Sequence, residues 1–144
     1  MKILFDTSVL IAAFVETHPK HKEALVFLTR AKEKEFELFV SAHTILEVYS
    51  VLTSAPFKPP ITPEIAERLI ENNIREIAKI IYLTDKDYFN IIKKMSESNL
   101  KGGIVYDAII MECALNNNVD EITTLNSKDF LRLVGNNLIK INTA

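Results

Sequence analysis

Apolar residues follow two rhythms along this chain, and their alternation predicts the fold. Short runs of strand length read as buried strands: Ile3-Leu4-Phe5, "FELFV" at 36–40, "IAKIIYL" at 77–83, "DEITTL" at 120–125 and "NLIKI" at 137–141. Longer segments between them keep helical spacing. They are "SVLIAAFV", a stretch from about Lys20 to Glu35, "AHTILEVYSVLT", "PEIAERLIENNI", "TDKDYFNIIKKMSES", "IVYDAIIMECALNN" and "SKDFLRLV". In the second of these, Ala24, Leu25, Phe27, Leu28 and Ala31 recur on one face. Helices thus alternate with strands almost throughout. That pattern predicts an α/β fold: a three-layer α/β/α sandwich on a mainly parallel sheet, with residues 1–144 forming one domain.

The polar punctuation agrees. Pro19 suits the first turn of the second helix, and Ser41 reads as the cap of the third. Thr62 reads as a cap with Pro63 at the first helical position, and Thr84 with Asp87 has the form of a capping box. Four of the five prolines crowd into "SAPFKPPITP" and end the third helix, while Gly102-Gly103 marks a turn.

Composition changes the picture little. Hydrophobic residues make up 48% and charged residues 25% of the 144, which suits one packed core and excludes a disordered chain. The net charge of −2 gives no global pull toward nucleic acid and leaves that role to a local patch, with Lys101 beside the glycine turn one candidate. A single cysteine, Cys113, rules out an internal disulfide, fits a reducing cytoplasmic setting, and sits in a core-like run rather than a nucleophile's environment. No segment has the length of apolar residues that a membrane span needs.

Candidate chemistry is carried by carboxylates. Asp6 follows the first strand, and ligands of parallel sheets bind beyond the strands' carboxyl ends; it can equally be the cap of the first helix. Glu47 lies in the apolar helix "AHTILEVYSVLT", where a half-buried carboxylate needs a partner or a metal. Asp107 stands near the start of an almost wholly apolar helix, whose positive end is expected to depress its pKa and keep it ionised. After the fourth strand, "TTLNSKDF" brings Thr123, Thr124, Asn126, Ser127 and Asp129, with Asn126 or Ser127 available as a helix cap. These groups suggest oxygen ligands converging on one edge of the sheet. Nothing competes with them: His18, His21 and His43 lack zinc-like spacing with cysteine, His18 and His21 read as surface residues, and no phosphate-binding glycine loop or serine elbow occurs.

In order and spacing, "ILFDTSVLI", "SAHTILEVYSVL", "VYDAIIMECAL" and "ITTLNSKDF" resemble the motifs of PIN-domain nucleases, over nearly the whole chain. The resemblance implies the parallel-sheet sandwich and a ribonuclease that cuts RNA with Mg²⁺ or Mn²⁺. It is most like the toxins of VapBC-type toxin–antitoxin modules, which implies a homodimer and a small antitoxin partner. It makes Asp6, Glu47 and Asp107 the first three acids, with Thr7 or Ser8 supporting the first. At the fourth position this chain has Asn126 followed by Asp129, which either contacts metal or organises the site. Phe36 and Phe57 are either core residues or part of a partner surface. Two other classes stay open: a PIN-like binding or scaffold protein weakened in catalysis, and an acidic-site metal phosphohydrolase. For the latter, a second acid two residues beyond Asp6 would be usual, and Ser8 occupies that place.

Overall fold

The computed structural model describes residues 1–144. In chain order the elements are β1 (Lys2–Phe5), α1 (Thr7–Phe14), α2 (His21–Lys32), β2 (Glu37–Ser41), α3 (Ala42–Ser54), α4 (Pro63–Ile70), β3 (Lys79–Ile81), α5 (Asp85–Glu97), α6 (Ile104–Asn116), β4 (Glu121–Thr124), α7 (Ser127–Val134) and β5 (Lys140–Thr143). The strands form one sheet in the order β3-β2-β1-β4-β5, and every pair is parallel.

Strand alternation divides the core. Ile3 and Phe5 of β1, with Leu38 and Val40 of β2, face the layer built from α1 to α4. Leu4, Phe39 and Ile122 face the opposite layer, where Ile91, Ala108, Met111 and Phe130 of α5, α6 and α7 pack. Successive strand side chains point to opposite faces, so near-continuous apolar strands require a helical layer on each side. Phe36 is buried in the first layer, and Phe57 packs against it half-buried, so both belong to the core. The large apolar side chains left exposed are others, among them Leu46, Tyr82, Phe89, Ile92 and Tyr106. No helix is long and apolar enough to cross a membrane.

Several boundaries have a local cause. The Thr62 hydroxyl accepts the Ile65 N–H and Pro63 opens α4, while Thr84 and Asp87 complete a reciprocal capping box on α5. Three expectations are corrected. Pro19 lies ahead of α2, in a turn closed by His21 N–H donating to His18 O at 3.0 Å. Ser41 holds the cap position of α3, but its buried hydroxyl makes no capping bond. The helix expected over 63–74 stays α-helical only to Ile70 and then widens into a π-turn over Glu71–Arg75.

The topology matters for the site. From β1 the chain runs outward through β2 to β3, then crosses to the other side of β1 to form β4 and β5. The sheet order therefore reverses between β1 and β4, and the crevice beyond the carboxyl ends of those two strands is where such sheets bind ligands.

Candidate active site

At that crevice lies a cleft of about 350 Å³ lined by Asp6, Thr7, Ser8, Ile11, His18, Glu47, Val51, Asp107 and Asn126. Asp6 leaves β1 and is held on every side. Its Oδ1 accepts the Thr7 N–H at 2.7 Å, and its Oδ2 accepts the Ser8 and Thr124 hydroxyls, each at 2.9 Å. Its backbone N–H donates to Thr123 O at 3.0 Å. Asp6 is thus both the cap of α1 and a cleft residue, so the two readings of the sequence describe one side chain. Thr124 ties the site together: it donates to Asp6, and its hydroxyl oxygen accepts the Asn126 N–H at 3.0 Å. Ser8 completes the bridge by accepting the Leu125 N–H at 3.0 Å, and the Thr7 hydroxyl donates to Thr44 at 3.3 Å. The ends of β1 and β4 are laced together directly beneath the cleft.

Glu47 reaches the cleft from α3. One turn earlier, His43 Nε2 lies 3.1 Å from Glu47 Oε2, and the His43 ring stacks on Tyr106 with 6.0 Å between centroids and 7° between planes. The stack joins α3 to α6 beside Asp107. The sequence contained a signal for His43, since residues four apart share a helix face. It contained none for His18, which the α1–α2 loop brings to the cleft wall.

Asp107 sits in the first turn of α6. Its pKa is raised from 3.8 to about 7 by burial first, then by the charges of Asp6 and Asp129, a hydrogen bond shared with Asp129, and the charge of Glu47. This overturns the expectation that the helix's positive end would hold the pKa down: partial burial and crowding by carboxylates outweigh one helix terminus. Asp129, in the first turn of α7, does not line the cleft but interacts with Asp107, and its Oδ1 lies 3.5 Å from Arg132 Nη1. Asn126 precedes α7 but makes no side-chain cap, so its amide remains available to the cleft. Cys113 is buried in the core, and burial first, then nearby Asp87 and Glu112, pushes its thiol up to about 12, which removes it as a nucleophile.

The donor set fits a hard divalent cation. Asp6, Glu47, Asp107 and Asn126 bring oxygen donors to one cleft, and no lysine or arginine lines it to neutralise the carboxylates. Burial first, and this crowding second, give Asp107 its raised affinity for a proton. The ligands are not drawn into a ready-made cage, for no three acidic, histidine or cysteine groups stand close enough together to hold a metal. A second cavity, between α5, α6 and α7, differs in kind: its walls include Ile91, Met111 and Leu133, and Glu112 is paired with Lys94 at 2.9 Å.

A fully parallel sheet with acids gathered at its switch point is the architecture of PIN domains, and the chain belongs to that family: the PIN domain model matches residues 3–136. Within the family it is homologous to the VapC-type ribonucleases of toxin–antitoxin modules. It is 33% identical over 107 residues to Ribonuclease VapC40 of Mycobacterium tuberculosis, in both strain CDC 1551 / Oshkosh and strain ATCC 25618 / H37Rv, covering 73% of this chain and 72% of that protein. Two crystal structures share the fold. One is Mycobacterium tuberculosis VapC20, a Sarcin-Ricin loop cleaving toxin, with TM-score 0.71, 12% identity and coverage of 90% of this chain and 94% of the other. The other is DNA-bound VapBC from Salmonella typhimurium, with TM-score 0.69, 18% identity and coverage of 99% and 98%.

Proposed function

We propose that the protein is a divalent-metal-dependent endoribonuclease, the toxin of a toxin–antitoxin pair, with residues 1–144 acting as one PIN-like nuclease domain. The observation that carries this is the meeting of Asp6, Glu47 and Asp107 at one uncompensated acidic cleft beyond β1 and β4. The similarity to Ribonuclease VapC40 supports the reaction class. A lone free thiol suits a reducing cytoplasm.

In this reading Asp6, Glu47 and Asp107 hold Mg²⁺ or Mn²⁺, and Asp129 interacts with Asp107 or contributes to the metal site. The bound cation supplies charge stabilisation at the phosphate and activation of a water molecule. The residues of the chain do the rest. Thr7 N–H, Ser8 and Thr124 fix both oxygens of Asp6, so the carboxylate needs no reorganisation when RNA arrives. His43 restrains Glu47, and the stack with Tyr106 restrains His43. Asp107 would serve as a ligand in its ionised form, since a bound cation would offset the burial and the carboxylate crowding that raise its pKa. Asn126 offers an amide to RNA or to the cation at the rim.

The partners follow from the same reading. Exposed Leu46, Phe89 and Ile92 supply apolar surface for a second copy of the chain and for a small antitoxin. Similarity to a VapBC complex supports the antitoxin. The test of the activity is direct. Purified protein is incubated with mixed structured RNAs, with and without Mg²⁺ or Mn²⁺, beside an Asp6→Asn control. Cleavage should require the cation and vanish in the variant. Equal cleavage by rigorously chelated protein would refute the mechanism, and the absence of any cleavage by the metal-loaded wild type would favour the scaffold reading.

A further inference from the structure

The α1–α2 loop carries a histidine that the acidic site does not explain. His18 lies on the cleft wall with Asp6, Glu47 and Asp107, although its sequence neighbourhood, "ETHPKH", reads as exposed loop. The loop is braced. His18 N–H donates to Val15 O at 2.9 Å, His21 N–H donates to His18 O at 3.0 Å, and the His21 ring nitrogen Nδ1 lies 2.8 Å from Ala12 O on α1. The His18 ring is fixed as well: its Nδ1 accepts the Lys20 N–H at 3.0 Å. An imidazole that accepts at Nδ1 carries its proton on Nε2, where it is a donor. Nδ1 is thereby engaged as an acceptor, and Nε2–H is the ring's remaining donor.

The cleft is short of such donors. The Thr7, Ser8 and Thr124 hydroxyls are committed to neighbouring protein oxygens. Of the side chains lining the cleft, only His18 and Asn126 carry N–H groups. A phosphodiester entering an acidic cleft needs hydrogen-bond donors beside any cation. We propose that His18 is a substrate-positioning residue whose neutral Nε2–H donates to an RNA phosphate oxygen at the cleft. This rests on the ribonuclease reading above and adds a contact outside the acidic set.

The test uses three substitutions. A glutamine amide nitrogen can reach the place of Nε2, whereas an asparagine amide nitrogen reaches only that of Nδ1. Binding of a short fluorescein-labelled single-stranded RNA, one the wild type cleaves, is followed by anisotropy with Mn²⁺ in an Asp6→Asn background, and cleavage is measured in the otherwise wild-type chain. His18→Ala and His18→Asn should weaken binding roughly ten- to a hundredfold, the range for a lost hydrogen bond to a charged group, and should raise KM accordingly. His18→Gln should recover most of the loss. The salt dependence of binding should keep its slope in His18→Ala, because a neutral donor releases no counterion; a cationic contact would flatten the log–log slope by about 0.7. A flattened slope, a glutamine variant as weak as alanine, or wild-type binding in all three variants would each overturn the proposal while leaving the ribonuclease reading intact. So would an increase in the Mn²⁺ concentration needed for half activity, which would make His18 a metal ligand. Metal-loaded wild type that neither binds nor cleaves RNA would remove the ribonuclease reading itself, and this contact with it.

Discussion

Replacing Asp107 with asparagine should stabilise the metal-free protein, and by an amount that depends on pH. The folded protein holds the Asp107 proton up to about pH 7, whereas the unfolded chain releases it near 3.8. Between those values the folded state binds more protons than the unfolded state, so wild-type stability falls as pH rises through the window. Below it the term vanishes, and above it the loss is complete. Taken in full, the shift from 3.8 to about 7 corresponds to roughly 4 kcal/mol at ~1.4 kcal/mol per unit. Asp107 is only half-buried, and solvent screens its neighbours, so about 1–2 kcal/mol is the expected effect. An asparagine at this position cannot ionise, so Asp107→Asn removes the term. Melting followed by circular dichroism with a chelator present should show the variant gaining on wild type from about pH 4 to about pH 7 and then levelling off, a difference of roughly 3–7 °C for a domain of this size. Adding Mn²⁺ should shrink the gap or reverse it, because the cation stabilises the ionised wild type by binding it. A difference that does not change with pH, or a chelated variant that melts below wild type at about pH 8, would refute the claim that burial and carboxylate crowding disfavour the ionised Asp107 in the free site.

Other outcomes test other parts of the site. Asp107→Asn should lower RNA cleavage at least roughly a hundredfold, while Asp129→Asn should lose less and recover part of its activity as Mn²⁺ is raised; an inactive Asp129→Asn beside a fully active Asp107→Asn would reverse that ranking. Thr124→Val deletes the hydroxyl shared by Asp6 and Asn126, and cleavage should fall about tenfold with a loss of roughly 1 kcal/mol in denaturant unfolding; unchanged activity would show that Asp6 keeps its place without the threonine. His43→Ala should raise the Mn²⁺ concentration for half activity several-fold, whereas Tyr106→Phe, which keeps the stack, should leave it where it was; equal effects would refute the restraint on Glu47. Sedimentation should show a dimer, and a monomer persisting at high concentration would reject the homodimer.

The layers were legible because strands buried on both faces leave unbroken apolar runs, and amphipathic helices leave a helical period. The caps of α4 and α5 were legible for a local reason, each needing a hydroxyl at one position and a partner three residues on. Ser41 had the same local form and failed as a cap, since nothing in sequence reveals that its hydroxyl is buried in the core. The π-turn after Ile70 was hidden likewise, because α-helix and π-turn share a composition. At the site, an aspartate after a strand could be placed from the chain alone, but its bond to Thr124 joins residues 118 apart and depends on β1 lying beside β4. His18 was out of reach on the same ground: the loop meets the cleft only after α1 and α2 have packed. The raised pKa of Asp107 was the largest miss, because a helix terminus is a local feature while burial and three neighbouring carboxylates from other elements are not.

The bracing around Asp6 and the strain at Asp107 serve one arrangement. A cleft that held several acids far apart would bind no cation well, and one that closed them into a cage would bind it without room for a phosphate. Here Asp6 is immobilised by three donors, while Asp107 stays half-buried and crowded, with its pKa raised to about 7. The rigid member comes from the centre of the sheet, where β1 is flanked by β2 and β4 and cannot shift without breaking two ladders. The other two acids, Glu47 and Asp107, come from helices that pack on opposite faces and are bridged by the His43–Tyr106 stack, a lighter restraint than the three donors on Asp6. Metal binding is therefore expected to draw α3 and α6 toward Asp6 rather than to move Asp6. Amide hydrogen exchange can see this: protection should rise around Glu47 in α3 and Asp107 in α6 when Mn²⁺ is added, and stay level along β1. Slowed exchange confined to β1, with both helix segments unaffected, would contradict that division of labour.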